Sequence, residues 1–355
     1  MVALGGRRDP GLPSAIASGS RPDVEYQRLL ADTGAVLFDF DSLPENRLVT
    51  YLNRVIGPYW STALASVKAH SADHVIIATG EDLGFRIALL HGYLRSCRRR
   101  PQISIICHGS YLNSSKAARL MRLLRHRPDV RFLCLSSSIA QQFIDLFGIS
   151  HSCIDVIGYG VDIDFFKAAA VEAQRQPRQV ASAGMAGRDY VTLLRAIEGL
   201  DAELKIAADS TWFPVELDID PAQVPPNAEI RSYGDYPALR ALYAQSSVVV
   251  VPLHDSRHAA GYAVILEAMA MGRPVITTSI RGMSDFIIDG VTGLLVAAGD
   301  ADGLRGAIVR LLDDPHLAEE IGRHAREWVE ANGSVAAYVP RIVRAACAQR
   351  NGSAG

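Results

Sequence analysis

The sequence predicts an α/β protein built of two doubly wound domains, and three observations predict it. Short, β-rich apolar runs recur along the 355 residues with amphipathic segments between them, the alternation expected of parallel strands joined by crossover helices. The length exceeds one ordinary domain of roughly 150 residues and suits two. A polar stretch at 166–178, FKAAAVEAQRQPR, interrupts the pattern before a fresh strand begins.

In the first half the predicted strands lie at 2–4, 35–40, 75–78, 103–107, 132–135 and 154–157. The second half repeats the pattern at 179–183, 204–207, around Ile230, and at 248–251, 275–277 and 294–296. The expected division is an N-terminal domain over 1–165 and a C-terminal domain over 166–333, with a last helix at 334–350 packing back on the first. In such sheets ligands sit beyond the carboxyl ends of the strands, here in the cleft between the domains.

Hydrophobic residues at 49% and charged residues at 21% are those of a globular protein. The start, MVALGGRRDP, has too short an apolar run for a signal peptide, and no stretch nears the length of a membrane span, so a cytoplasmic protein is expected. The five cysteines (Cys97, Cys107, Cys134, Cys153, Cys347) form no C-x-x-C pair and read as free thiols. Net charge is −2, unevenly spread, because residues 1–150 hold 18 Lys and Arg against 12 Asp and Glu. Two basic patches stand out, Arg95 with Arg98, Arg99 and Arg100, and the segment with Lys116, Arg119, Arg122, Arg125 and Arg127. They are either solvated faces or contacts for an anionic or membrane-borne acceptor at the inner membrane face.

After the apolar run 247–252, Gly261 opens a helix that carries Glu267. A helix N-terminus offers unpaired N–H groups and a positive dipole end, which suits a diphosphate, and glycine allows close backbone approach. Glu267 lies further along, among Val264, Ile265, Leu266, Ala268, Met269 and Ala270. A carboxylate so placed needs a partner, and its two acceptor oxygens suit both hydroxyls of a ribose.

The segment GYAVILEAMAMGRPVITTSIRGMSDFIIDGVTGLLV, 261–296, resembles the signature region of family 4 glycosyltransferases, retaining enzymes of the two-domain GT-B fold. IGYGVDIDFF at 157–166 is similar to their interdomain segment, and nearly all of 70–350 can be threaded. The resemblance implies a nucleotide-diphosphate sugar as donor, an acceptor hydroxyl, and no cofactor, metal or nucleic-acid partner. It makes Glu267 the second acid of the family's E-x7-E motif, on the ribose, and turns the backbone of Gly261, Tyr262, Ala263 and Val264 toward phosphates and sugar. Arg188 falls at the diphosphate-binding position, where a guanidinium grips phosphate as well as an ammonium does. Asp235 and Tyr236 fall where the base is held, largely by backbone. Gly5 and Gly6 resemble the glycine loop near donor and acceptor. His108 resembles the family's cleft histidine, able to orient the sugar or shuttle a proton, or else purely structural. Glu81 and Asp82, in the loop after 75–78, are candidate acceptor ligands.

Departures accompany these matches. The first acid of E-x7-E is replaced by Ala259, so either the donor sugar is unusual, or Asp255 or His258 reaches in instead, or the protein binds donor without turnover. Met185 and Tyr159 also depart from the pattern. D-x-D triplets such as Asp39/Asp41, Asp162/Asp164 and Asp218/Asp220 hint at a metal but lie outside a metal-transferase context. No G-x-G-x-x-G follows the first strand, and neither G-x-x-x-x-G-K-[ST] nor G-x-S-x-G occurs, which argues against dehydrogenase, NTPase and hydrolase. The leading expectation is a retaining glycosyltransferase. A binding or regulatory subunit, or a nucleotide-sugar epimerase on the same fold, are its rivals.

Overall fold

The computed structural model describes residues 1–43, 47–69, 74–94, 100–110, 115–171, 174–208, 219–255 and 260–348. Its strands are β1 (Val2–Ala3), β2 (Leu37–Phe38), β3 (Val75–Ala78), β4 (Gln102–Cys107), β5 (Val130–Cys134) and β6 (Ile154–Val156), then β7 (Gln179–Ala183), β8 (Glu203–Ala207), β9 (Ala228–Arg231), β10 (Val248–Val251), β11 (Val275–Thr278) and β12 (Leu294–Val296). They form two six-stranded sheets, β2-β1-β3-β4-β5-β6 and β12-β11-β10-β7-β8-β9. Every pairing is parallel. The two-domain α/β architecture read from the sequence is therefore present. Its central strands are buried throughout, as parallel strands covered on both faces must be. The edge strand β2 is shorter than the run at 35–40, because its apolar residues have only one neighbouring strand to order them.

The chain crosses between the domains twice, and the crossings lie side by side. Val161 N–H donates to the Gly333 carbonyl (2.8 Å), and Val335 N–H donates to the Val161 carbonyl (2.9 Å). Gly160 is needed here, since a Cβ on it would come within 2.6 Å of the Tyr338 side chain. The Asp162 carboxylate accepts from the N–H groups of Asp164 (3.0 Å), Phe165 (2.9 Å) and, across the interface, Asp23 (2.8 Å). Beyond the second crossing, the helix Val335–Cys347 packs on the helix Glu25–Thr33 and against β3, β4 and β5 of the first sheet.

The carboxyl ends of the two sheets face each other. Ser137, just past β5, gives both its N–H (2.6 Å) and its hydroxyl (2.8 Å) to the Asp285 carboxylate, just past β11. Gly282, at φ +82, lies against Ser136 and Ser138 without room for a Cβ. Among the described residues no helix is long and apolar enough to cross a membrane.

Candidate functional site

The wall of the cleft in the second domain is assembled from the loops after β7 and β10. These loops are zipped together: Arg188 bridges Leu253, Asp189 N–H donates to the Pro252 carbonyl (3.1 Å) and His254 N–H to the Gly187 carbonyl (3.0 Å). The Arg188 guanidinium folds back onto its own loop, with Nε on the Ala183 carbonyl and Nη1 on the Ala186 carbonyl, both at 2.9 Å. That posture requires Gly184, because a Cβ there would stand 2.6 Å from Nη2. Two of the five guanidinium donors are thereby held by carbonyls, which fixes the plane and leaves donors for an anion. Burial pulls the Arg188 pKa below its ordinary value, opposed by Tyr190, Tyr243 and Glu267 around it.

Glu267 is 8% exposed, on the helix Tyr262–Ala270. Its Oε2 accepts from the buried Tyr243 hydroxyl at 3.1 Å. Burial raises its pKa to about 7, against the Tyr243 bond and the Arg188 charge, which both lower it. The sequence reading gave both carboxylate oxygens to a ribose. In the structure one of those oxygens already accepts from Tyr243, and the other is the freer acceptor. Gly261 caps the helix at φ +81, and among the described residues no side-chain hydrogen bond caps its N–H groups. A Cβ at Gly261 would meet Val251 at 3.1 Å and Leu253 at 3.2 Å, so the helix start is pressed onto the end of β10. Ala263 and Val264 are half-buried in the first turn, while the Tyr262 ring turns inward and stacks on Phe286 at 4.2 Å.

The base-site candidates lie at the seam of the domains. Asp235 caps the helix Tyr236–Gln245 with its Oδ1, which accepts from Ala238 N–H at 2.7 Å. Tyr236 packs edge-on against Phe165 and receives the Arg21 guanidinium of the first domain over its ring at 5.7 Å. Ala259 and His258 lie outside the described residues, and Asp255 is exposed on the loop after β10.

The opposite wall is made of loops. Gly5 and Gly6 follow β1. Gly5 N–H donates to the Thr79 hydroxyl (3.4 Å), and nothing lies within 4 Å of where a Cβ of Gly6 would be. His108 follows β4 and places Nε2 3.2 Å from the Thr79 carbonyl. Burial lowers its pKa, which favours the neutral ring. Glu81 is corrected outright. It is 2% exposed, its Oε1 accepts from Gly109 N–H at 2.7 Å, and the N–H groups of His108 and Ser110 also act on it, so it is not an acceptor ligand. Burial raises its pKa to about 7 despite those three donors. Asp82 is partly exposed and pairs with Arg86 at 3.5 Å, whose guanidinium lies over Tyr59 (5.1 Å) and Trp60 (6.0 Å).

Other expectations resolve similarly. Asp162 is used as a turn cap, Asp39 accepts from Arg8 N–H (3.0 Å) and the Ser42 hydroxyl (2.8 Å), and Asp218 lies outside the described residues. Among the described residues no group of three His, Cys, Asp or Glu could hold a metal ion. Cys107 and Cys134 are buried neighbours on β4 and β5, Cys153 is half-buried and Cys347 exposed. In the basic segment Arg119, Arg122 and Arg125 are exposed, whereas Arg127 is drawn in against Asp129 and the Ala88 carbonyl. Arg95, Arg98, Arg99 and the Lys116 side chain lie outside the described residues. The reading from sequence missed Gly184, Tyr190, Tyr243, Thr79 and Asp285. Tyr190 had a signal, two positions after Arg188, but the others act through contacts between distant segments.

Comparison with known proteins bears on the family and the fold. Residues 188–314 match the family model described as Glycosyl transferases group 1. A glycogen synthase of Mycobacterium tuberculosis is 29% identical over 214 residues, covering 57% of this chain and 50% of that protein. A D-inositol 3-phosphate glycosyltransferase of Kribbella flavida is 35% identical over 97 residues, 27% of this chain and 22% of that one. The chain thus spans half or less of the length of these curated relatives. Among solved structures, the sucrose-phosphate synthase of Thermosynechococcus elongatus superposes with a TM-score of 0.70 at 19% identity, covering 99% of both chains. Anabaena HepE in complex with UDP superposes with a TM-score of 0.67 at 16% identity, covering 97% of this chain and 98% of that one. The chain thus has the two-domain GT-B architecture of these structures, and its residues 188–314 are similar to the Glycosyl transferases group 1 family.

Proposed function

We propose that the protein is a retaining glycosyltransferase that moves a sugar from a nucleotide-diphosphate donor to an acceptor hydroxyl. One observation carries the reading: the loop after β7, the uncapped helix start at Gly261 and the buried carboxylate of Glu267 converge on one edge of the second sheet, facing the other domain. Arg188 and the helix N–H groups supply fixed positive charge where a diphosphate departs, a preorganised form of stabilisation that needs neither metal nor cofactor. Glu267 fits a ribose hydroxyl. The bond from the sugar's anomeric carbon to the diphosphate breaks, and the bond to the acceptor oxygen forms on the same face. The acceptor's proton passes to the leaving phosphate, so no side-chain nucleophile is required. His108, held neutral at the end of β4, touches the sugar from the opposite wall. HepE, whose structures hold UDP and UDP-glucose, supports a nucleotide-sugar donor.

The test is a panel of UDP-, GDP-, ADP- and dTDP-sugars scored by thermal shift, donor hydrolysis and transfer to sugar and lipid-linked acceptors. Stabilisation by a donor with hydrolysis or transfer is expected. Tight binding without turnover of any donor would establish instead the binding-subunit reading, which Ala259 in place of the family's first acid favours. The exposed Arg119, Arg122 and Arg125, with Leu123 at 67% exposure beside them, support attachment to an anionic membrane surface. Flotation with phosphatidylglycerol vesicles at low salt checks this, and absence of the protein from the floating fraction would refute it.

A further inference from the structure

The loop that carries His108 is a concavity of backbone N–H groups. Gly109 sits at φ +79, and the N–H groups of His108, Gly109 and Ser110 converge. Successive amides in such a turn form a nest that binds anions. Its occupant here is not a substrate phosphate but the carboxylate of Glu81, delivered by the first residue of the helix Glu81–Tyr93 and 2% exposed. Immediately before that helix, Thr79 accepts from His108 Nε2 through its carbonyl at 3.2 Å. A carbonyl only accepts, so this bond puts the ring proton on Nε2 and leaves Nδ1 as the ring's acceptor. Thr79 also offers its hydroxyl to Gly5 N–H at 3.4 Å. The segment 79–81 therefore grips both the ring and the backbone of His108 and touches the glycine loop as well.

We infer that Glu81 is a positioning residue whose carboxyl group fills the nest at His108–Ser110 and so fixes His108 as the Nε2–H tautomer with Nδ1 presented as acceptor. This rests on the reading of the cleft as a sugar-transfer site only for the role of His108; the placement of the ring stands apart from it. Two consequences follow. The nest is closed to donor phosphates, which leaves the diphosphate to the Arg188 and Gly261 side. A second hydrogen-bonding oxygen is needed, because three amides point at one group, so an amide side chain is an imperfect substitute.

The experiment uses Glu81→Ala and Glu81→Gln in the full chain, alone and combined with His108→Ala. In 15N-histidine-labelled protein the wild type shows the Nε2–H tautomer at His108, Glu81→Ala shows mixed tautomers, and formate, a carboxylate small enough for the vacated nest, restores the single form. This readout needs no turnover. With a working donor, Glu81→Ala lowers kcat by about a hundredfold, the size expected of a misplaced catalytic group, with little change in donor KM. Glu81→Gln falls between, and neither change lowers kcat further once His108 is alanine. Unchanged His108 signals in folded Glu81→Gln and Glu81→Ala would overturn the placement. Losses in kcat that add fully to that of His108→Ala would overturn the role. Should Glu81→Ala not fold, the same signals and the same cycle are read in Glu81→Gln.

Discussion

Glu81 and Glu267 stand on opposite walls of the cleft, both buried and both with pKa values raised to about 7. They are used differently. Glu81 is consumed by backbone N–H groups of its own domain, whereas Glu267 shares one oxygen with Tyr243 and keeps capacity for a ligand. A raised carboxylate pKa in a cleft therefore does not by itself mark a ligand-binding acid. The hydrogen-bond inventory around it decides.

Titration of stability sharpens that comparison most. Each group rises from an ordinary value of 4.5 to about 7 in the fold. The folded state thus binds the proton more tightly than the unfolded chain does. The associated stability is complete below pH 4.5 and is lost as pH rises through 7, about 3 kcal/mol for each site. Glu81→Gln and Glu267→Gln should each flatten the fall in denaturation free energy between pH 5 and pH 8 by an amount of that order. Donor at saturation should alter the slope at Glu267 and leave that at Glu81. An equal response at both sites would erase the distinction.

Binding measurements break the comparison from the other side. Arg188→Ala removes the charge-assisted contacts proposed for the diphosphate, and calorimetry should show nucleotide-diphosphate affinity falling by about 2–3 kcal/mol. Glu81→Gln should leave that affinity unchanged. Gly261→Ala forces a Cβ against Val251 and Leu253 at φ +81, and should cost roughly 1–3 kcal/mol in thermal unfolding besides weakening donor binding. Asp285→Ala removes the two bonds from Ser137 that tie the walls together. Its exposed setting limits the loss to about 1 kcal/mol. Solution scattering should nevertheless report a larger radius of gyration, and an unchanged radius would show that the two chain crossings alone set the domain spacing.

The second domain was more legible than the first for a physical reason. Its site is concentrated in two stretches, 183–190 and 261–267, where spacing along the chain already implies proximity. Glycine before a helix and a carboxylate inside an apolar one are local signals. The first-domain wall gathers Gly5, Thr79, Glu81 and His108 from three strand ends, and no local spacing reports such a meeting. Its first two strands are also brief, two residues each for β1 and β2, so that side of the sheet depends on neighbours rather than on its own sequence.

Apolar periodicity was sufficient to determine two doubly wound domains and most of their strands, because burial of alternating elements leaves few other arrangements. What only the tertiary structure decided is who satisfies each buried polar group. Desolvation makes every hidden carboxylate find a donor, and that donor is chosen by the packing of distant segments. So Glu267 is joined to Tyr243 across 24 positions, Gly109 to Glu81 across 28, and Ser137 to Asp285 across 148.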